Sequence, residues 1–239
     1  IYDDTYFKGG EYVDYVRDRQ VFEKQFQDRL SIVRRFKERG DLIEIGSAYG
    51  FFLAAARAYY RVQGFDIAEG PIRYAREKLG VDARCEDFAS APIQSETADI
   101  VTMWDTIEHL PRPDLTVKKV AWVLRPNGFL FLTTGDISST LARIQREKWR
   151  LIHPPTHLHY FNRQTIARLL DRAGIKVVET RYVGVRRSLR QILHSLLVHG
   201  KPQPSRLYCL IAGSPLADFS FVLNTYDIML VVGQKSHGL

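Results

Sequence analysis

Between Val13 and Arg39 the apolar residues Val16, Val21, Phe22, Phe26, Leu30, Val33 and Phe36 recur at mostly helical spacing among charged neighbours. That period marks helices with one face turned to a core, so one or two amphipathic helices are expected to lead into the rest of the chain. From Asp41 onward the pattern changes. Short apolar runs at Leu42 to Ile45, Arg61 to Asp66, Val81 to Cys85, Asp99 to Trp104 and Phe129 to Thr134 alternate with helical segments at Phe51 to Tyr59, Pro71 to Leu79 and Leu115 to Leu124. Such alternation predicts an α/β fold whose mostly parallel sheet is covered by helices on both faces.

Pro126-Asn127-Gly128 is a turn signal between the helix ending near Leu124 and the strand from Phe129. A helix from Arg163 to Ala173 closed by Gly174 follows, then a strand from Lys176 to Val183 and another from Ile228 to Val232. Between these last two lies an insertion, residues 184–224, which opens on Arg186-Arg187-Ser188-Leu189-Arg190. Its stripe Leu189, Ile192, Leu193, Leu196 and Leu197 reads first as a packed or intersubunit helix of a homodimer, and second as a peripheral contact with an acidic membrane.

At 239 residues the chain fits one domain with its own core. Cys85 and Cys209 lie far apart in apolar stretches, which suits reduced thiols of a cytoplasmic protein better than a staple. Ile1 to Arg19 mixes aromatics with acids and bases and carries no secretory signal pattern, and no run approaches the length of a membrane span. The net charge of +7 permits anionic partners, yet the basic residues are scattered, so no nucleic acid is expected as a partner.

Candidate chemistry begins at Glu44-Ile45-Gly46-Ser47-Ala48-Tyr49-Gly50, where a strand passes into a helix. Gly46 permits a tight turn and Gly50 a close approach of backbone to a ligand. The dinucleotide fingerprint would want glycine at position 48 and glycine or alanine at position 51, but Ala48 and Phe51 stand there, which counts against a nicotinamide dehydrogenase. Asp66 ends the next strand about 20 residues on, where an acid can accept from both ribose hydroxyls or simply cap the following helix. Asp87 could accept from an adenine amino group with Phe88 covering the ring, although for Phe88 core packing is the simpler reading.

The segments LIEIGSAYGFFL, GFDIAEG, CEDFAS, ADIVTMWDTIEHL and VLRPNGFLFLTT resemble, in order, the successive motifs of class I S-adenosylmethionine-dependent methyltransferases. The stretch HPPTHLHYFNRQTIARLLDRAGI is similar to the branch that includes ubiquinone-biosynthesis and sugar or natural-product O-methyltransferases. The resemblance implies a Rossmann-like, doubly wound sheet of seven strands, order 3-2-1-4-5-7-6 with the last strand antiparallel. Residues 1–40 would form a helical cap or lid, 41–183 the cofactor-binding core, 184–224 the insertion and 225–239 the final strand.

Carried over residue by residue, Glu44, Gly46, Ser47, Ala48 and Gly50 would hold the methionine part of S-adenosylmethionine, and Asp66 its ribose. Ile67, Asp87 and Phe88 would surround adenine, while Met103 and Trp104 would lie beside the reacting centre; S-adenosylhomocysteine would be the product. Ala48 departs from the commoner glycine, and its methyl is tolerable unless the backbone there needs a positive φ.

The acceptor must lose a proton, and His109 is the first candidate base, because an imidazole titrates near physiological pH. Glu108 could orient it, and the plainer alternative is that the pair only caps a helix or forms surface ion pairs. Asp105, Glu108 and His109, spaced i, i+3, i+4, would share a helix face and could hold a divalent metal instead.

His157, His159 and Tyr160, with His153 nearby, would lie above the strand ends as an acceptor pocket; their spacing matches no structural zinc site. Tyr2, Tyr6, Phe7, Tyr12 and Tyr15 could form a lid or pack on the sheet. The expected function is O-methylation of a small-molecule hydroxyl on a sugar, natural product or quinone-like acceptor. A nucleic-acid methyltransferase and a non-catalytic cofactor-binding subunit are the alternatives.

Overall fold

The computed structural model describes residues 18–197, 217 and 219–236. Within them the first stripe becomes helix α1 (Arg19–Phe36), which buries Val21, Phe26, Leu30 and Val33. Its aromatic residues meet those of α2 (Phe51–Ala56), with the Phe26 and Phe52 rings edge-on at 5.8 Å. The other helices are α3 (Glu69–Leu79), α4 (Pro113–Val123), α5 (Thr140–Gln145), α6 (Arg163–Asp171) and α7 (Leu189–Leu197).

The strands are β1 (Gly40–Ile45), β2 (Tyr60–Asp66), β3 (Ala83–Cys85), β4 (Ala98–Trp104), β5 (Leu124–Gly135), β6 (Ile175–Tyr182), β7 (Val185–Ser188), β8 (Ser220–Leu223) and β9 (Ile228–Lys235). Seven form one sheet in the order β3-β2-β1-β4-β5-β9-β6, and β9 runs antiparallel to both its neighbours. This is the expected topology, with β9 in the role of the seventh strand.

Because side chains alternate along a strand, the sheet sends two apolar sets in opposite directions. Leu42, Ile100, Phe131 and Leu230 join α1, α2 and α3 in one core cluster. Ile43, Val101, Met103 and Val231 join α4 and α6 in the other. Burial on both faces explains why these strands read as continuous apolar runs.

The Pro126-Asn127-Gly128 turn does not separate helix from strand as expected. β5 starts at Leu124, opposite Ala98, and pairing resumes at Phe129 opposite Ile100, so the intervening residues bulge out of the ladder. Asn127 adopts φ 62° there. Helix α6 begins on a capping box, with Asn162 accepting from the Gln164 and Thr165 amides and the Thr165 hydroxyl accepting from the Asn162 amide.

The insertion contributes β7, α7 and β8, and β7 pairs antiparallel with β8. It is tied to α1, since the Arg186 amide donates to Gln25 Oε1 and its guanidinium to Asp28 Oδ2, both at 2.8 Å. Cys85 is a free, exposed thiol; Cys209 and the aromatic opening lie outside the described residues. Among the described residues no helix is long and apolar enough to cross a membrane.

Candidate active site

The turn after β1 is a sequence of left-handed residues: Gly46 at φ 74°, Ala48 at φ 43° and Gly50 at φ 73°. Ala48 therefore meets the one condition that strains it, at a cost of about 1–2 kcal/mol. Asp66 offsets that strain. Its Oδ2 accepts from the Ala48 amide at 2.8 Å while Oδ1 accepts from the Ala68 amide at 2.9 Å, so one carboxylate clamps the turn to the start of α3. The helix-capping role of Asp66 is thus present, and the carboxylate, with about four acceptor sites, keeps capacity for a ligand hydroxyl.

The amides of Gly46 and Ser47 both donate to the Phe65 carbonyl, so the turn is shaped by β2 in advance of any ligand. Space is equally fixed at Gly46, where a Cβ would come within 2.5 Å of Thr106 Oγ1.

Beneath this turn lies Glu44, only 2% exposed, with Oε2 lacking any hydrogen-bond partner among the described residues. Burial, with the nearby negative charge of Asp66, holds its carboxyl well above the ordinary 4.5. The buried Ser47 hydroxyl is also unmatched. Unsatisfied polar atoms at such depth are costly, and an α-amino acid moiety supplies the ammonium that Glu44 lacks. The residues present therefore fit the methionine part of S-adenosylmethionine.

Farther along the edge, Ile67 is 59% exposed after β2, and Asp87 spends Oδ1 on the Ala89 amide within its own turn. Phe88 is a correction: it is 2% exposed and packs edge-on against Phe65 at 5.4 Å, so its ring belongs to the core, which is the simpler of the two expected readings. Met103 is a second correction. It is fully buried in the α4 and α6 cluster, because alternation along β4 turns it away from the face that Trp104 shares with Phe52. Trp104 stays at the strand end with a buried Nε1 that has no hydrogen-bond partner among the described residues.

Beyond β4 the chain turns at Asp105, φ 49°, which the Thr133 hydroxyl and carbonyl hold through its amide. Ile107–His109 then forms a single 3-10 turn. Asp105 is not helical, so the i, i+3, i+4 geometry expected for Asp105, Glu108 and His109 does not arise. The ligand atoms that gather within 4.8 Å of one another belong to Glu108, His109 and His157.

His109 and His157 stand edge-on, ring centroids 4.6 Å apart. His109 Nδ1 lies 2.8 Å from the Thr156 carbonyl, and His157 Nδ1 lies 2.8 Å from the Leu151 carbonyl. A carbonyl only accepts, so each Nδ1 carries the proton and each Nε2 is the basic nitrogen. The Leu158 and His159 amides both donate to the Glu108 carbonyl, which locks the histidine stretch onto the 3-10 turn. Of the expected pocket residues, His157 is buried here, His159 lies 6.1 Å from the Phe161 ring, and Tyr160 is 37% exposed.

Sequence reasoning missed Arg29, Arg150 and Asp227. Arg29 is only 4% exposed on α1 and stacks over Trp104. Asp227, fully buried before β9, accepts from Trp149 Nε1 at 2.8 Å and pairs with Arg150 at 3.0 Å. For Arg29 a signal existed, since it stands three residues after Phe26 in the apolar stripe of α1.

Comparison with known proteins agrees with the fold. The profile of the family described as "Methyltransferase domain" matches residues 15–180, well over half the chain. A ubiquinone biosynthesis O-methyltransferase of Cupriavidus pinatubonensis is 26% identical over 153 residues, which are 59% of this chain and 61% of the relative. The chain thus matches about three fifths of that relative's length.

Among solved structures, an S-adenosylmethionine-dependent methyltransferase from Archaeoglobus fulgidus superposes with a TM-score of 0.62 at 16% identity, covering 91% of this chain and 94% of that one. Another from Methanosarcina mazei gives a TM-score of 0.58 at 17% identity, covering 87% and 98%. With the strand order, the glycine turn and the family profile in agreement, the chain belongs to the class I S-adenosylmethionine-dependent methyltransferases.

Proposed function

We propose that the protein transfers the methyl group of S-adenosylmethionine to a hydroxyl of a small-molecule acceptor, with His109 receiving the hydroxyl proton. The observation that carries this reading is the fixed tautomer of His109, whose Nδ1 is committed to the Thr156 carbonyl. Nε2 is then the nitrogen that accepts a proton, as general-base chemistry requires. The name of the Cupriavidus relative supports an oxygen acceptor.

The cofactor supplies an activated methyl group, so the chain's own task is alignment, exclusion of water and removal of the proton. Glu44 and Ser47 would meet the amino acid end, Asp66 the ribose hydroxyls, and Ile67 and Asp87 the adenine side. Trp104 walls the boundary with the acceptor. The His157 ring buttresses that of His109 and holds its angle.

A second reading uses the same three side chains. Glu108, His109 and His157 offer one carboxylate and two imidazoles within 4.8 Å, a donor set that suits zinc, iron or manganese, and a cation held there would polarise the acceptor oxygen. Mass spectrometry of hydroxylated acceptors incubated with isotopically labelled S-adenosylmethionine, with and without a chelator, tests both. Labelled product that survives chelation supports the base; product lost on chelation and restored by a divalent cation supports the metal. Absence of labelled product across sugars, catechols and phenols contradicts the proposal.

A further inference from the structure

Helix α1 carries Arg29 to the carboxyl edge of the sheet, beside Trp104 at the end of β4. Its guanidinium carbon lies 6.0 Å from the Trp104 ring centroid, and Nη2 donates to the Gly184 carbonyl at 3.2 Å, just past the end of β6. A guanidinium has five N–H donors, yet among the described residues that carbonyl is its one hydrogen-bond partner, and no carboxylate lies within ion-pair distance.

The charges around it do not balance it. Burial pulls its affinity for the proton down, Asp105 and Asp28 attract it and Arg181 repels it, and Asp28 is already paired with Arg186 at 2.8 Å. Asp105 is shared, since it also attracts Arg150, which Arg187 repels. Asp227 is already taken by Arg150 and the Trp149 indole, and Arg181 has Glu179 at 3.0 Å. Trp104 Nε1 adds a second buried donor with no partner among the described residues, beside the stacked Arg29. A cation at this depth without a close counter-ion is unfavourable unless something anionic joins it.

We infer that the acceptor carries a compact anionic group, a carboxylate or a phosphate, which docks between Arg29 and Trp104 Nε1 while its hydroxyl faces His109. The inference rests on the methyl-transfer reading and narrows its substrate class. A planar guanidinium with most of its fork unspent suits bidentate contact with either anion. Placement supports it as well: Arg29 bridges the ends of β4 and β6, whereas Glu44 and Asp66 lie across the edge at β1 and β2. Arg29 is therefore a specificity residue for the acceptor.

Calorimetric titration of the protein saturated with S-adenosylhomocysteine tests this with two matched pairs. Protocatechuate against catechol reports a carboxylate, and glycerol phosphate against glycerol reports a phosphate. The expected result is that one anionic member binds at least about tenfold tighter than its neutral partner, as a charged hydrogen-bonded contact gives. That preference should vanish in Arg29→Met with S-adenosylhomocysteine affinity unchanged, and shrink in Arg181→Met, whose side chain is 39% exposed, should the first variant fold poorly.

Equal affinity within both pairs, no binding by either anion, or a preference intact in the variants would overturn the inference. Failure of the wild type to bind S-adenosylhomocysteine would instead overturn the methyl-transfer reading beneath it.

Discussion

At the ends of β1 and β2 the polar groups come from one continuous stretch, Glu44 to Asp66, whereas the groups beside β4, β5, β6 and β9, namely Arg29, Asp105, His109, His157 and Asp227, come from four separate stretches of the chain. The first half is preformed by backbone: Phe65 shapes the turn and Asp66 clamps it, and the unmatched atoms left there, Glu44 Oε2 and Ser47 Oγ, are few. The second half is an assembly of charged and aromatic side chains that only tertiary packing brings together. A common cofactor can be served by a local motif; acceptor choice lives in parts that the fold does not fix.

If the halves are separable, variants should damage one and spare the other. The largest effect is expected for His109→Ala, which should lower kcat about 10²–10⁴-fold while leaving S-adenosylhomocysteine affinity unchanged in the same preparation. Next, Asp66→Ala removes a ligand acceptor and releases the strained Ala48 amide. Affinity for the cofactor should fall about 10–100-fold, measured by calorimetry, with acceptor selectivity intact.

Glu44→Gln sharpens the comparison by separating stability from function. A carboxyl whose folded pKa is raised binds its proton more tightly in the native state than in the unfolded one. Its ionisation therefore costs stability at high pH, and that cost disappears as pH falls through the raised value towards 4.5. The neutral variant should thus melt at a higher temperature than wild type at pH 7, gain nothing at pH 4, and bind S-adenosylmethionine more weakly. The smallest functional effect is expected for Phe88→Leu, which should cost roughly 1–2 kcal/mol of stability in denaturant titration with cofactor affinity unchanged. Weakened affinity without loss of stability would return Phe88 to the adenine side.

This division also explains what could be read from the sequence. The alternating runs reflect strands buried on both faces, so element order and the β9 inversion followed from the pattern and the resemblance together. Errors fell where three-dimensional direction decides. Met103 and Trp104 are neighbours in sequence but point to opposite faces of β4, and Phe88 lies at a strand end yet turns inward to Phe65.

The helical spacing at Asp105 failed because a left-handed turn precedes a single 3-10 turn, and His157 enters from a stretch docked through the Glu108 carbonyl. Arg29 was visible only as an interruption of an apolar stripe, a pattern that marks a buried charge without naming its partner.

The central claim is that the turn from Glu44 to Gly50, clamped by Asp66, is an S-adenosylmethionine site. Calorimetric titration of S-adenosylhomocysteine into wild type and Gly46→Val, whose new side chain would strike Thr106 from a backbone at φ 74°, tests it directly. One binding site per wild-type chain and none in the variant is the predicted result. No binding to the wild type, or equal affinity in the two proteins, would contradict it.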